Sequence, residues 1–245
     1  MEKISQEDIN DLLNGVHSYR IDDFHQQEKK KRTTFGKRVA KICIWLGLAF
    51  GLIIMPFFIL IRTSVYLNLV QDYNAWLALV GGILATVSLL LVYIFFLFRN
   101  VKNKKLLIKY GSAGIGALVA GFCLYGTLYL SSMNAKSSEI QSVYRSLHPI
   151  LRVAVATTTL AEDKLVITDI SRAPEDYGKM GLATLNNSLH YKQSDGYVHA
   201  IDLRTKGHSE VRNFLLQSSL EFMGFKLIRH VGTADHLHVS LPVGD

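Results

Sequence analysis

Cysteine and proline are scarce in this chain, two and four among 245 residues. Cys43 and Cys123 stand far apart inside apolar runs, which excludes a disulfide-stapled secreted domain. Four prolines and 18 glycines exclude a collagen-like chain. Charge is scarce too, at 19% of residues against 49% that are hydrophobic. It is missing from 75–98 and 110–130, and Lys41 is the one charge in 39–61. At about 1.5 Å per residue, each run is long enough to cross the roughly 30 Å hydrocarbon core of a bilayer as a helix. A single soluble globule is excluded. No acidic residue falls inside these runs, so a proton pathway or transporter finds no support.

The net charge of +7 is unevenly placed. Residues 132–245 are neutral overall, with 12 basic and 12 acidic side chains. The excess flanks the apolar runs. Lys29, Lys30, Lys31, Arg32, Lys37, Arg38 and Lys41 precede the first, and Arg99, Lys102, Lys104, Lys105 and Lys109 fill the loop before the third. The loop from Arg62 to Asn74 holds only Arg62 and Asp72. The positive-inside rule then puts the N-terminus and the second loop in the cytoplasm and everything after Leu130 outside. The basic excess thus reports topology and lipid contact rather than nucleic acid. The first run is too long for a signal-peptide core, begins nearly forty residues in and lacks a small-x-small cleavage site, so it reads as an uncleaved anchor. In the third run, Ser112, Gly116 and Ala120, with Ala113, Ala117 and Gly121 beside them, form a small-residue stripe. It can pack within the bundle or against another copy.

Residues 1–38 read as a cytoplasmic tail. Ser5 can cap a helix, Asp8 falls in its first turn, Ile9, Leu12 and Leu13 share a face, and Gly15 can end it. Residues 16–38 are polar and read as a linker. The segment 4–15 resembles the N-terminal peptide of the flagellar motor switch protein, with its Ser-Gln-x-Glu-Ile-Asp-x-Leu-Leu pattern, although Glu7-Asp8-Ile9-Asn10 replaces x-Glu-Ile-Asp here. That resemblance implies docking to a phosphorylated receiver-domain protein.

After Leu130 the composition changes. Residues 139–147 and 150–160 read as helices broken at Pro149, and 164–170, 197–203, 225–231 and 236–241 as strands. Residues 172–187 read as a loop. Ser209 caps a helix that Gly224 stops, with Val211, Phe214, Leu215, Ser218 and Phe222 on one side. The expected architecture is a three-span α-helical membrane bundle (39–61, 75–98, 110–130) followed by a small α+β domain, 131–245, with a mainly antiparallel sheet.

Seven of the nine histidines lie after Leu130, two of them as His236-Leu237-His238 in a strand whose alternate residues share a face. Imidazole and carboxylate from converging elements suit zinc. The set Ile167-Thr168-Asp169-Ile170-Ser171-Arg172, Ser188-Leu189-His190, Ala200-Ile201-Asp202 and Asp235-His236-Leu237-His238, in that order, resembles the M15 family of zinc peptidases. Those enzymes are D-Ala-D-Ala carboxypeptidases, dipeptidases and L-alanyl-D-glutamate endopeptidases with a hedgehog-like fold. The resemblance implies Zn2+ on His190, Asp202 and His238, Asp235 as general base, and Arg172 and His236 polarising the scissile carbonyl of a peptidoglycan stem peptide. Ser188 reads as a hydrogen bonder that fixes its loop. His190 and Asp202 stand farther apart than in the family, the extra residues falling in Tyr191–Gly196, and Val198 replaces the family glycine. Asp195 and His199 are second-choice ligands, while His148, His208 and His230 read as core or surface residues. Together these readings place a peptidase, or a non-catalytic zinc-containing wall-binding module, outside a bacterial cytoplasmic membrane.

Overall fold

The computed structural model describes residues 5–101, 103–179, 181, 186–232 and 235–243, and the side chains of all of these but 16–35 and 179. It divides into two compact units, Met1–Ile54 and Met55–Asp245.

Helix α1 runs from Gln6 to Leu69. Its first turn is built as expected: Ser5 Oγ accepts the Asp8 amide at 3.2 Å while the Asp8 carboxylate accepts Ser5 N and Oγ. Ile4, the first residue of the motor-switch-like segment, lies outside the described residues. The helix does not stop at Gly15, nor do residues 16–38 form a separate linker. A glycine ends a helix only where the backbone turns left-handed, and no proline intervenes before Pro56. Three helices are long and apolar enough to cross a membrane: Gly36–Leu69 within α1, α2 (Ala75–Leu97) and α3 (Lys104–Leu128). The first therefore continues past Arg62, where the sequence had suggested a loop.

Within Met55–Asp245, α2 is capped by Asn74 Oδ1, which accepts the Leu77 amide at 3.0 Å. The small-residue stripe of α3 is only partly covered within the unit: Ser112 and Gly116 are half-buried and Ala113, Ala117, Ala120 and Gly121 exposed, while Val119, Cys123 and Gly126 are buried. At Gly126 an added Cβ would come within 2.7 Å of the Ala156 methyl group, so only glycine allows this approach.

Beyond Leu130, two 3-10 turns (Ser132–Asn134 and Tyr144–Ser146) bracket α4 (Ser138–Val143). Helix α5 (Pro149–Ala161) follows, with Pro149 at its first position. It is buried along most of its length. Tyr144 Oη donates to Gly126 O at 2.7 Å, and the Arg152 guanidinium lies over the rings of Trp76 and Tyr197 while bonding Thr127 O. One apolar core joins Leu60, Ile61, Val65, Ala78, Leu79 and Cys123 of the long helices to α5 and to the sheet. The change in composition at 130/131 marks where the chain leaves the helices, not where packing ends.

The sheet has four antiparallel strands in the order β1 (Ile167–Asp169), β2 (Ala200–Arg204), β4 (His236–Ser240), β3 (Lys226–His230). Ile201, Leu203, Leu237 and Val239 point into the core; Asp202, His236 and His238 alternate with them on the other face. A short helix, α6 (Pro174–Lys179), stands where a loop was expected. Helix α7 (Glu210–Met223) has the expected ends, Ser209 Oγ accepting Arg212 N and Gly224 at φ 106°. Its buried side is the reverse of the apolar one: Asn213, Leu216, Leu220 and Met223 are inside, while Val211, Phe214, Leu215 and Phe222 are exposed.

Candidate metal centre

The register of the two central strands makes the site. Asp202 on β2 pairs directly with His238 on β4, so their side chains rise together from the same face. His238 Nδ1 lies 2.9 Å from Asp202 Oδ1. His190 arrives from the turn before β2, held from both sides: Ser188 Oγ accepts its amide at 3.3 Å, and its carbonyl accepts Arg172 N at 3.1 Å. Tyr177 of α6 donates to Ser188 Oγ at 2.6 Å, which gives Ser188 its loop-fixing role. His190 Nε2 then stands 3.2 Å from His238 Nδ1 and 3.3 Å from Asp202 Oδ1. The three expected ligands converge, with His190 and Asp202 each 2% exposed, and such a group can hold a metal ion.

The surroundings suit that use. His190 Nδ1 lies 2.7 Å from the Ile170 carbonyl, an acceptor only, so the ring proton sits on Nδ1 and the Nε2 lone pair faces Asp202 and His238. Burial alone would raise the Asp202 pKa, but the hydrogen bond from His238 Nδ1 and the charge of Arg172 hold it well below the usual carboxylate range. Arg172 is itself positioned by Asp169 Oδ2, 2.6 Å from its Nε, and its Nη2 donates to Asp202 Oδ2. His236 Nε2 lies 3.8 Å from Asp202 Oδ2.

Asp235 is placed differently. β4 begins at His236, so Asp235 precedes the ladder. Its Oδ1 accepts Thr205 Oγ1 at 2.5 Å and its Oδ2 lies 3.4 Å from Arg229 Nη2. Arg229 also grips Glu210 with both Nη atoms, at 2.6 and 3.0 Å. The hydrogen bonds from Thr205 and Arg229 lower the pKa of Asp235. Thr205 and Arg229, rather than the His190–Asp202–His238 group, thus hold the Asp235 carboxylate.

Sequence reasoning missed Asp169, Tyr177 and Thr205, because each acts through another side chain and none carries a ligand signal. It also missed a second group of the same composition. His148, the N-cap of α5, meets Asp195 and His199: His199 Nε2 is 2.9 Å and His148 Nε2 3.7 Å from Asp195 Oδ2. The second-choice ligands Asp195 and His199 therefore belong to a different cluster, beneath the sheet. The Tyr191–Gly196 insertion closes as a tight turn, Gln193 N donating to Tyr197 O at 2.8 Å, and carries Asp195 there.

Set against known proteins, the chain matches no family model, no curated protein and no solved structure. The likeness to the M15 pattern rests on the residues described above.

Proposed function

We propose that this chain is a membrane-anchored zinc peptidase that hydrolyses peptidoglycan stem peptides outside a bacterial cytoplasmic membrane. The observation that carries the reading is the convergence of His190, Asp202 and His238, with Arg172 on the same carboxylate, from segments of the chain that follow the M15 order. His190, Asp202 and His238 would hold the zinc, which when bound supplies a Lewis acid for a carbonyl and a water acidified towards a pKa of about 7. Arg172 and His236 flank Asp202 and would present N–H donors to the oxygen of the scissile carbonyl. Asp235 would take up a proton on a carboxylate oxygen once released by Thr205 or Arg229, and pass it to the leaving amine.

A second reading, a non-catalytic zinc-containing module that binds wall fragments or helps assembly, is favoured by one observation: both Asp235 oxygens are already engaged. The lysine- and arginine-rich flanks support an N-terminus in the cytoplasm, where the capped helix beginning at Gln6 would offer Ile9, Leu12 and Leu13 to a receiver-domain protein.

The test uses the full chain in detergent micelles, because its core runs from the long helices into the sheet. Zinc per chain is counted, and muropeptide products are read by mass spectrometry. One zinc with a defined fragment, and loss of the fragment but not the zinc in Asp235→Asn, supports the peptidase. One zinc without product selects the binding module, and no zinc overturns both.

A further inference from the structure

Among the described residues, helix α7 leaves most of its more apolar side uncovered. Leu216, Leu220 and Met223 face the core, whereas Val211, Phe214, Leu215 and Phe222 form a stripe on the opposite side, Phe214 and Phe222 each 66% exposed. Such a contiguous patch marks a protein or membrane contact rather than a solvated surface. Ser218 lies in the middle of the stripe, and Glu210 and Glu221 line one edge. This is the layout of a helix with one apolar and one polar flank, lying along an interface.

The position of α7 says which interface. The Phe222 ring packs edge-on against Phe58, 5.0 Å between centroids, and Phe58 belongs to the apolar run of α1. Its neighbour Phe57 meets Phe122 of α3 at 5.8 Å, less than two turns inside that helix's end at Leu128, roughly 9 Å at about 1.5 Å per residue. Close by, Thr86 Oγ1 reaches Pro56 O at 3.5 Å, three turns inside the start of α2. The last turn of α7 thus meets α1 below the sheet-side ends of α2 and α3. Immediately after it, Gly224, in the left-handed region at φ 106°, sits against the side chains of Arg62 and Val65. Arg62 is exposed and is the first charge after the apolar run of α1, where polar head groups must begin.

We infer that α7 lies on the bilayer surface, with Val211, Phe214, Leu215 and Phe222 sunk into the boundary between head groups and acyl chains. The occupant is lipid because the stripe is continuous, through Phe222 and Phe58, with the apolar run of α1, which is long and apolar enough to cross a membrane. This inference rests on the three helices crossing a membrane and is independent of the proposed peptidase activity. Its consequence is that the head of α7 is tied to the residue before β4: Glu210 grips Arg229, which in turn holds Asp235.

The experiment uses the full chain carrying Cys43→Ser, with buried Cys123 left in place, in phosphatidylcholine vesicles. Single cysteines at Phe214, at Leu215 and, for reference, at exposed Glu139 of α4 take a nitroxide label. Collisions with oxygen, which concentrates in lipid, are compared with those of a water-soluble nickel chelate. The oxygen-to-nickel ratio at Phe214 and Leu215 is expected to exceed that at Glu139 by about tenfold, as for side chains within an acyl boundary. Ratios equal to that at Glu139 would overturn the inference. So would low access to both probes together with dipolar broadening between labels, which would mean that a second copy covers the stripe. Zinc content measured on the same samples separates a failure here from a failure of the metal centre.

Discussion

Among the described residues, two groups of two histidines and one aspartate form around a single strand, and they differ in what holds the imidazoles. Above the sheet, the partner of His190 Nδ1 is a carbonyl, so Nε2 turns a lone pair towards Asp202 and His238. Below it, the partner of His148 Nδ1 is the Ile150 amide at 3.4 Å, a donor. The neutral ring must then carry its proton on Nε2, pointing at Asp195. In the first group His190 thus offers a free acceptor nitrogen; in the second His148 points a proton at the carboxylate. Burial, then His199, pushes the His148 pKa down to about 3, so it stays neutral without a metal. Composition and spacing make two candidates here, and the backbone partners of His190 and His148 distinguish them.

The largest expected effect comes from removing the cation that Asp202 already has. Arg172→Leu leaves a buried carboxylate without its guanidinium, and about 3–5 kcal/mol of stability should be lost from the metal-free chain. Zinc should restore most of it, because the metal supplies the missing charge. Thermal unfolding in micelles with and without zinc checks this; equal losses in both conditions would break the contrast between the groups.

A smaller effect concerns acid. His148 has a folded pKa near 3 against an unfolded value near 6.5, so the unfolded chain binds the extra proton in between. The contribution is fully present above about pH 6.5 and is lost as pH falls towards 3, amounting to about 2 kcal/mol by pH 5. His148→Asn keeps a cap for α5 and should remove this slope, leaving a melting curve less sensitive to acid between pH 6.5 and 5.

Tyr177→Phe removes the hydroxyl that fixes Ser188 and, through it, the His190 turn. The expected cost is about 1 kcal/mol, with zinc affinity reduced by roughly tenfold. Competition with a chelator of known affinity measures the second quantity, and an unchanged value would separate Tyr177 from the centre. Asp195→Asn should matter least, about 0.5 kcal/mol, because the carboxylate is 40% exposed and water can take its place.

Much of this was legible in the sequence. Charge depletion located the three long helices, and the resemblance to the M15 pattern pointed to His190, Asp202 and His238, a trio that strand register and the turn before β2 bring together. Arg172 reaches Asp202 for the same reason: it follows β1, the neighbour of β2. What stayed hidden depends on contacts between distant segments. The side that α7 buries could not be read from its apolar pattern, because both of its sides carry apolar residues and only one of them meets the protein core. Gly15 looked like a helix end because a stop signal was read without the left-handed turn that makes it one. The lower His–Asp–His group was invisible because one member caps a helix and another sits in a turn, and neither position has a periodicity.

The central claim is that the upper group, and not the lower, is the metal centre. Its most direct test is zinc stoichiometry of the full chain in micelles for His190→Ala beside His199→Ala. The account predicts about one zinc in His199→Ala, as in the unaltered chain, and essentially none in His190→Ala. Zinc kept in His190→Ala and lost in His199→Ala would contradict it.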